Sequence, residues 1–112
     1  MKLLMLVVED SEQVEDCLSA VVELDVAGIQ VLDASTVMDV LAREAPIFAG
    51  LRELITRPKA ESKLIFGIAK GDILRELDTL LKRVGIDLDE PGVGFAFLLP
   101  VDGHIGQLDF EE

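Results

Sequence analysis

Leu64-Ile65-Phe66-Gly67-Ile68-Ala69-Lys70-Gly71-Asp72-Ile73-Leu74, continued to Val84, decides the fold class. The run Leu64 to Ala69 is too short for a helix of its own and apolar at successive positions, which suits a strand buried on both faces. After Gly71-Asp72 the period changes. Ile73, Leu74, Leu77, Leu80, Leu81 and Val84 recur at three- and four-residue spacing, so they share one helix face, and Gly85 ends the pattern. Asp87 to Gly94 is turn chemistry, and Phe95-Ala96-Phe97-Leu98-Leu99 reads as another strand, which Pro100 stops.

Upstream the same succession occurs. Lys2 to Val8 is a continuous apolar run and reads as a central strand. Asp10, with Gln13 three residues on, can cap a helix whose Val14, Cys17, Leu18, Val21 and Val22 face a core while Glu12, Glu15, Asp16, Ser19 and Glu23 face water. Gly28 then permits a turn, and Ile29-Gln30-Val31-Leu32 forms the second strand. Two strand-helix-strand units predict an α+β, ferredoxin-like βαββαβ domain over residues 1–112, with one antiparallel sheet covered on one face by two helices.

Between the units lies an insert. Thr36-Val37-Met38-Asp39 fits a capping box, with Val37, Val40 and Leu41 opening a short helix that Pro46 interrupts. Ile47, Phe48, Leu51, Leu54 and Ile55 then share a helical face, with Arg52 and Glu53 pointing outward. Thr56 to Lys63, carrying Arg57, Lys59 and Lys63, reads as an exposed loop. Residues 35–62 are therefore an insert between the two units.

The strands carry a further message. Strands one, three and four are apolar at successive residues, yet two helices can cover only one sheet face. The other face is expected to be buried against further subunits.

Composition excludes several classes. The formal net charge of −12 repels nucleic-acid phosphates and anionic lipid, and no apolar run approaches the roughly 20 residues of a membrane helix. A lone cysteine, Cys17, cannot form an internal disulfide and fits a reducing, cytoplasmic setting. Cys17 sits on the apolar helix face with no histidine near it in sequence, which marks a core residue. His104, with Asp102 and Asp109, makes no metal set within one chain. Glu9-Asp10 after the first strand resembles the acidic pair of response-regulator receivers, but no phospho-accepting Asp ends the third strand and no fifth strand follows. With no nucleophile, base or P-loop set, the expectation is a binding protein rather than an enzyme.

Val26-Ala27-Gly28-Ile29-Gln30-Val31 and Gly92-Val93-Gly94-Phe95-Ala96-Phe97-Leu98-Leu99-Pro100-Val101, with the opening Met1-Lys2-Leu3-Leu4, resemble the PII nitrogen-regulatory family. The resemblance implies a homotrimer whose sheets face a three-fold axis, with small effectors bound between subunits and a protein partner regulated in response through residues 35–62, which stand in place of the family's exposed effector loop. It implies a ligand site near Gly28, Gln30, Ser35 and Thr36 on one side and Gly92, Val93, Gly94 and Phe95 on the other. In that family the Gly-x-Gly turn approaches nucleotide phosphates, and Gly92 and Gly94 match it. This chain departs from the pattern elsewhere. Val93 and Phe95 replace the usual Asp and phosphate-binding Lys, and Gly103 to Leu108 holds no Arg or Lys. Adenine-nucleotide binding in the usual manner is not expected, and no particular cofactor is implied. The alternatives are a divalent-metal-binding trimer of the cation-tolerance type, which shares this architecture, and a scaffold without ligand.

Overall fold

A computed structural model describes residues 1–37, 40, 41 and 62–110 of the chain. In chain order the elements are β1 (Lys2–Val8), a 3-10 turn (Ser11–Gln13) leading into α1 (Val14–Glu23), β2 (Ala27–Ala34), β3 (Ser62–Ala69), α2 (Leu74–Arg83) and β4 (Gly94–Pro100). The strands form one sheet in the order β2-β3-β1-β4, and every neighbouring pair is antiparallel. Among the described residues, a four-stranded antiparallel sheet with two helices is α+β and compatible with the expected ferredoxin-like arrangement.

Side-chain alternation determines where the core lies. Leu4, Leu6 and Val8 of β1 share a face with Ile65 and Ala69 of β3, and all five are essentially inaccessible. Cys17, Ala20 and Val21 of α1, Leu77 and Leu81 of α2, and Ile86 close over that face, with Leu18, Leu80, Val93, Ala96 and Leu98 packed at its margin. Asp10 caps the 3-10 turn, its Oδ1 accepting from Glu12 N–H at 3.0 Å, and Asp72 shapes the turn ahead of α2, its Oδ1 accepting from Leu74 N–H at 3.1 Å. Lys82 and Arg83 occupy the last turn of α2, where the helix dipole favours cations.

Several expectations change. Asp10 caps the 3-10 turn rather than α1 itself. Val22 and Val84, assigned to core-facing positions by period alone, are 61% and 52% exposed: Val22 lies outside the arc of α1 that carries the buried Cys17, Ala20 and Val21, and Val84 follows the last residue of α2. β2 is longer than Ile29–Leu32, and Pro100 belongs to β4, tolerated there on an edge strand. Ser62 and Lys63 lie in β3, not in a loop, and Lys63 forms an ion pair with its cross-strand partner Asp33. Of the expected insert, Val40 N–H donates to Thr36 O at 3.1 Å, which closes one helical turn. Met38, Asp39 and the stretch 42–61, including Pro46, the Ile47 to Ile55 face, Arg57 and Lys59, lie outside the described residues.

Two features shape the edges of the sheet. Ala27 pairs with Ile68 and Gln30 with Phe66, so β2 carries one extra residue opposite Gly67, with Gly28 at φ +64°. A Cβ on Gly67 would lie 2.5 Å from Val26 Cγ1 and 3.0 Å from Ala27 O, so only glycine lets the two backbones approach. Beyond β4 the chain forms a strap. Val101 N–H donates to Met1 O at 3.1 Å, residues 102–107 are exposed, Leu108 Cδ2 comes within 3.9 Å of where a Gly28 Cβ would sit, and the Phe110 ring lies 5.1 Å from Lys70 Nζ. Lys70 Nζ also lies 3.6 Å from Asp25 Oδ2.

Candidate functional site

Residues of odd number in β1 and their partners form the second sheet face. The register aligns them in cross-strand rows: Leu99-Leu3-Ile68, then Phe97-Met5-Phe66-Gln30, then Phe95-Val7-Leu64-Leu32. Eleven positions in three rows contain one polar side chain, that of Gln30. Both helices pack on the opposite face, and among the described residues this face keeps Phe95 53%, Leu32 49%, Leu99 46% and Phe97 37% exposed. The Phe95 and Phe97 rings stack on it with centroids 6.3 Å apart. Contiguous apolar surface of this kind makes the face a candidate interaction site.

The residues expected to bind a ligand distribute around this face rather than converging in one chain. Gln30, Ser35 and Thr36 belong to or follow β2, while Gly92 to Phe95 lead into β4. These are the two edges of the sheet, separated by three strand spacings, about 14 Å. Along the strands they do come to one end: Val8 pairs with both Gly94 and Lys63, and Lys63 with Asp33, two residues before Ser35. Gly28 is at the other end, roughly 23 Å from Ser35 at strand rise, where Leu108 of the strap walls it. Gln30 lies on the open face beside Phe66.

The Gly-x-Gly turn has a packing cause of its own. Gly92 holds φ +78° and Gly94 φ +151°, and a Cβ on Gly94 would lie 2.1 Å from Val7 O. Glu9 N–H donates to Val93 O at 2.9 Å, and the Val93 side chain packs against the core. Asp87 shapes the preceding turn, its Oδ1 accepting from Asp89 N–H at 3.0 Å. Next to Phe95 an open depression of about 270 Å³ lies between β4 and α2, with Leu74, Leu88, Asp78 and Asp89 in its walls. Phe95 thus borders both the apolar face and this depression.

The remaining chemistry is sparse. Burial, with a smaller contribution from the neighbouring Asp16 charge, pushes the Cys17 thiol up to about 11, so it is a poor nucleophile at neutral pH. Among the described residues no three His, Cys, Asp or Glu side chains converge as a metal site, and no helix is long and apolar enough to cross a membrane. Sequence reading missed Gly67, the Asp33–Lys63 pair and the strap. An isolated glycine inside the apolar run Leu64 to Ala69 was the one signal available for the first of these. No protein-family model matches the chain, and no curated protein is significantly similar to it.

Proposed function

We propose that this protein is a PII-like regulator that works by binding rather than catalysis. In this reading it is a cytoplasmic homotrimer whose subunits bury their apolar sheet faces around a three-fold axis and receive a small metabolite at their seams. The observation that carries the reading is the three-row apolar face of β1, β3 and β4, left uncovered by both helices. Burying it removes a large apolar area from water, at roughly 25 cal/mol per Å².

A closed ring requires a heterologous contact, in which one edge of each subunit meets the opposite edge of the next. Here that brings the β2 edge of one copy beside the β4 edge of its neighbour. Ser35 and Thr36 of the first then stand level with Gly92, Gly94 and Phe95 of the second, since both sets lie at the same end of the sheet. The about 14 Å that separates them within a chain becomes a seam between chains. Phe95 and the adjoining depression give that seam an apolar wall, and no Lys or Arg lies between positions 84 and 110 to hold a phosphate. Partner contact falls to residues 35–62.

A thermal-shift screen of adenine nucleotides, 2-oxoglutarate, bicarbonate and divalent metals tests ligand sensing, because a compound that binds only the folded state raises its Tm. A concentration-dependent rise with a small metabolite is the expected result. Stoichiometric copper or zinc binding would instead favour a cation-tolerance type of trimer, and a flat response would leave a scaffold.

A further inference from the structure

We infer that the depression between β4 and α2 binds a compact organic cation, an aromatic or aliphatic body bearing one ammonium group. The site extends the reading above and stands without the ring, because every wall of the depression comes from one chain. Its volume of about 270 Å³ is near the lower limit of ligand pockets, roughly 300 Å³, so the occupant is small. Leu74 and Leu77 of α2, Leu88 and Phe95 supply apolar walls, and Asp78 and Asp89 supply the charged ones. The first set suits a hydrocarbon body and the second a positive head.

Local charge sets the sign of the ligand. Asp78 and Lys82 lie one turn apart on α2, with Lys82 Nζ 3.1 Å from Asp78 Oδ2. The Lys82 ammonium is held above its ordinary range by its hydrogen bond to Asp78, then by the charge of that carboxylate and, more weakly, by the charges of Asp87 and Asp89. Three carboxylates thus act on one ammonium, and positions 84–110 add no Lys or Arg. Asp87 Oδ1 is committed to the Asp89 N–H, but among the described residues no hydrogen bond or ion pair engages the Asp89 carboxylate. It is therefore free to meet a cation in the depression. Phe95, 53% exposed, borders the same space, and a cation over an aromatic face gains from the ring quadrupole. An anion of the same shape meets like charge, and a neutral molecule gains the apolar walls alone.

Benzylamine, benzyl alcohol and benzoate share one ring and differ in charge near neutral pH, so they separate these cases. Each is titrated into the isotope-labelled full chain, with backbone amide shifts read by NMR at Leu88, Asp89, Phe95 and Ala96. Benzylamine is expected to shift those amides and to bind roughly tenfold more tightly than benzyl alcohol, while benzoate leaves them unmoved. Asp89→Asn should weaken the amine about threefold and leave the alcohol unchanged. Asp102→Asn, the same change of charge on the exposed segment after β4, should alter neither. Phe95→Leu should weaken amine and alcohol together, since both lose the aromatic wall. No amide shift with benzylamine, an alcohol or benzoate bound as tightly as the amine, or equal effects of the two Asp→Asn variants would overturn the site. Light scattering on the same samples reports the ring separately: a 12.2 kDa species that binds benzylamine keeps this site and refutes the ring, and a trimer that ignores benzylamine does the reverse.

Discussion

A Cβ at position 94 would lie 2.1 Å from Val7 O, where φ is +151°, a conformation that L side chains rarely adopt. Backbone strain and collision act together, so Gly94→Ala is expected to cost about 3 kcal/mol by urea unfolding. A loss under about 0.5 kcal/mol, the range of ordinary surface substitutions, would contradict this account of the turn. The same geometry explains why the Gly-x-Gly pattern, taken alone, is weak evidence for a phosphate: strand packing already requires Gly94. Cys17 offers a second test at this scale. Its thiol is raised from 9.0 to about 11, chiefly by burial, so the folded state holds the proton more tightly than the unfolded chain. The stabilising contribution is complete below pH 9 and is lost as pH rises from about 9 to 11, while the unfolded thiol ionises. The stability margin of the parent chain over Cys17→Ala should therefore be level up to about pH 9 and narrow above it. A margin unchanged at pH 10.5 would show that the thiol ionises freely in the fold.

The elements differ in how plainly local sequence announces them. α2 is legible because Leu74, Leu77 and Leu81 return at helical spacing, and the structure buries Leu77 and Leu81 completely against the sheet. Leu81→Ala should cost about 2–5 kcal/mol, the range for a core leucine, with the loss read from its chemical denaturation midpoint. β1 and β3 were equally legible as apolar runs. Period alone failed at Val22, which lies just outside the buried arc of α1 although Val21 beside it is inaccessible, and at Val84, because periodicity does not record where a helix stops. It failed at Lys63 for a different reason. Thr56 to Lys63 holds no apolar pattern, but Ser62-Lys63 extends β3 because Asp33 supplies a partner thirty residues away, which local composition cannot reveal. The bulge at Gly28 and the strap contact of Leu108 are likewise pairings between distant segments. The candidate site was legible as residue types, yet its division between opposite sheet edges depends on strand order.

For the whole molecule, the question is what the face of Leu3, Met5, Val7, Leu64, Phe66, Ile68, Phe95, Phe97 and Leu99 rests against. If three copies close on it, a charge at its centre must be desolvated without a partner, a cost of several kcal/mol. Phe97→Glu, at a position 37% exposed in the single chain, should then separate the subunits while far-UV circular dichroism stays that of the parent, since the core of Leu4, Leu6, Ile65, Leu77 and Leu81 lies on the other side of the sheet. Retention of the parent mass by this variant would place the interface elsewhere. The most direct measurement is the mass of the parent protein in solution, by sedimentation equilibrium at micromolar concentration. The account predicts a single species near three times the 12.2 kDa chain mass. A species at 12.2 kDa, with the β1-β3-β4 face in water, would contradict it.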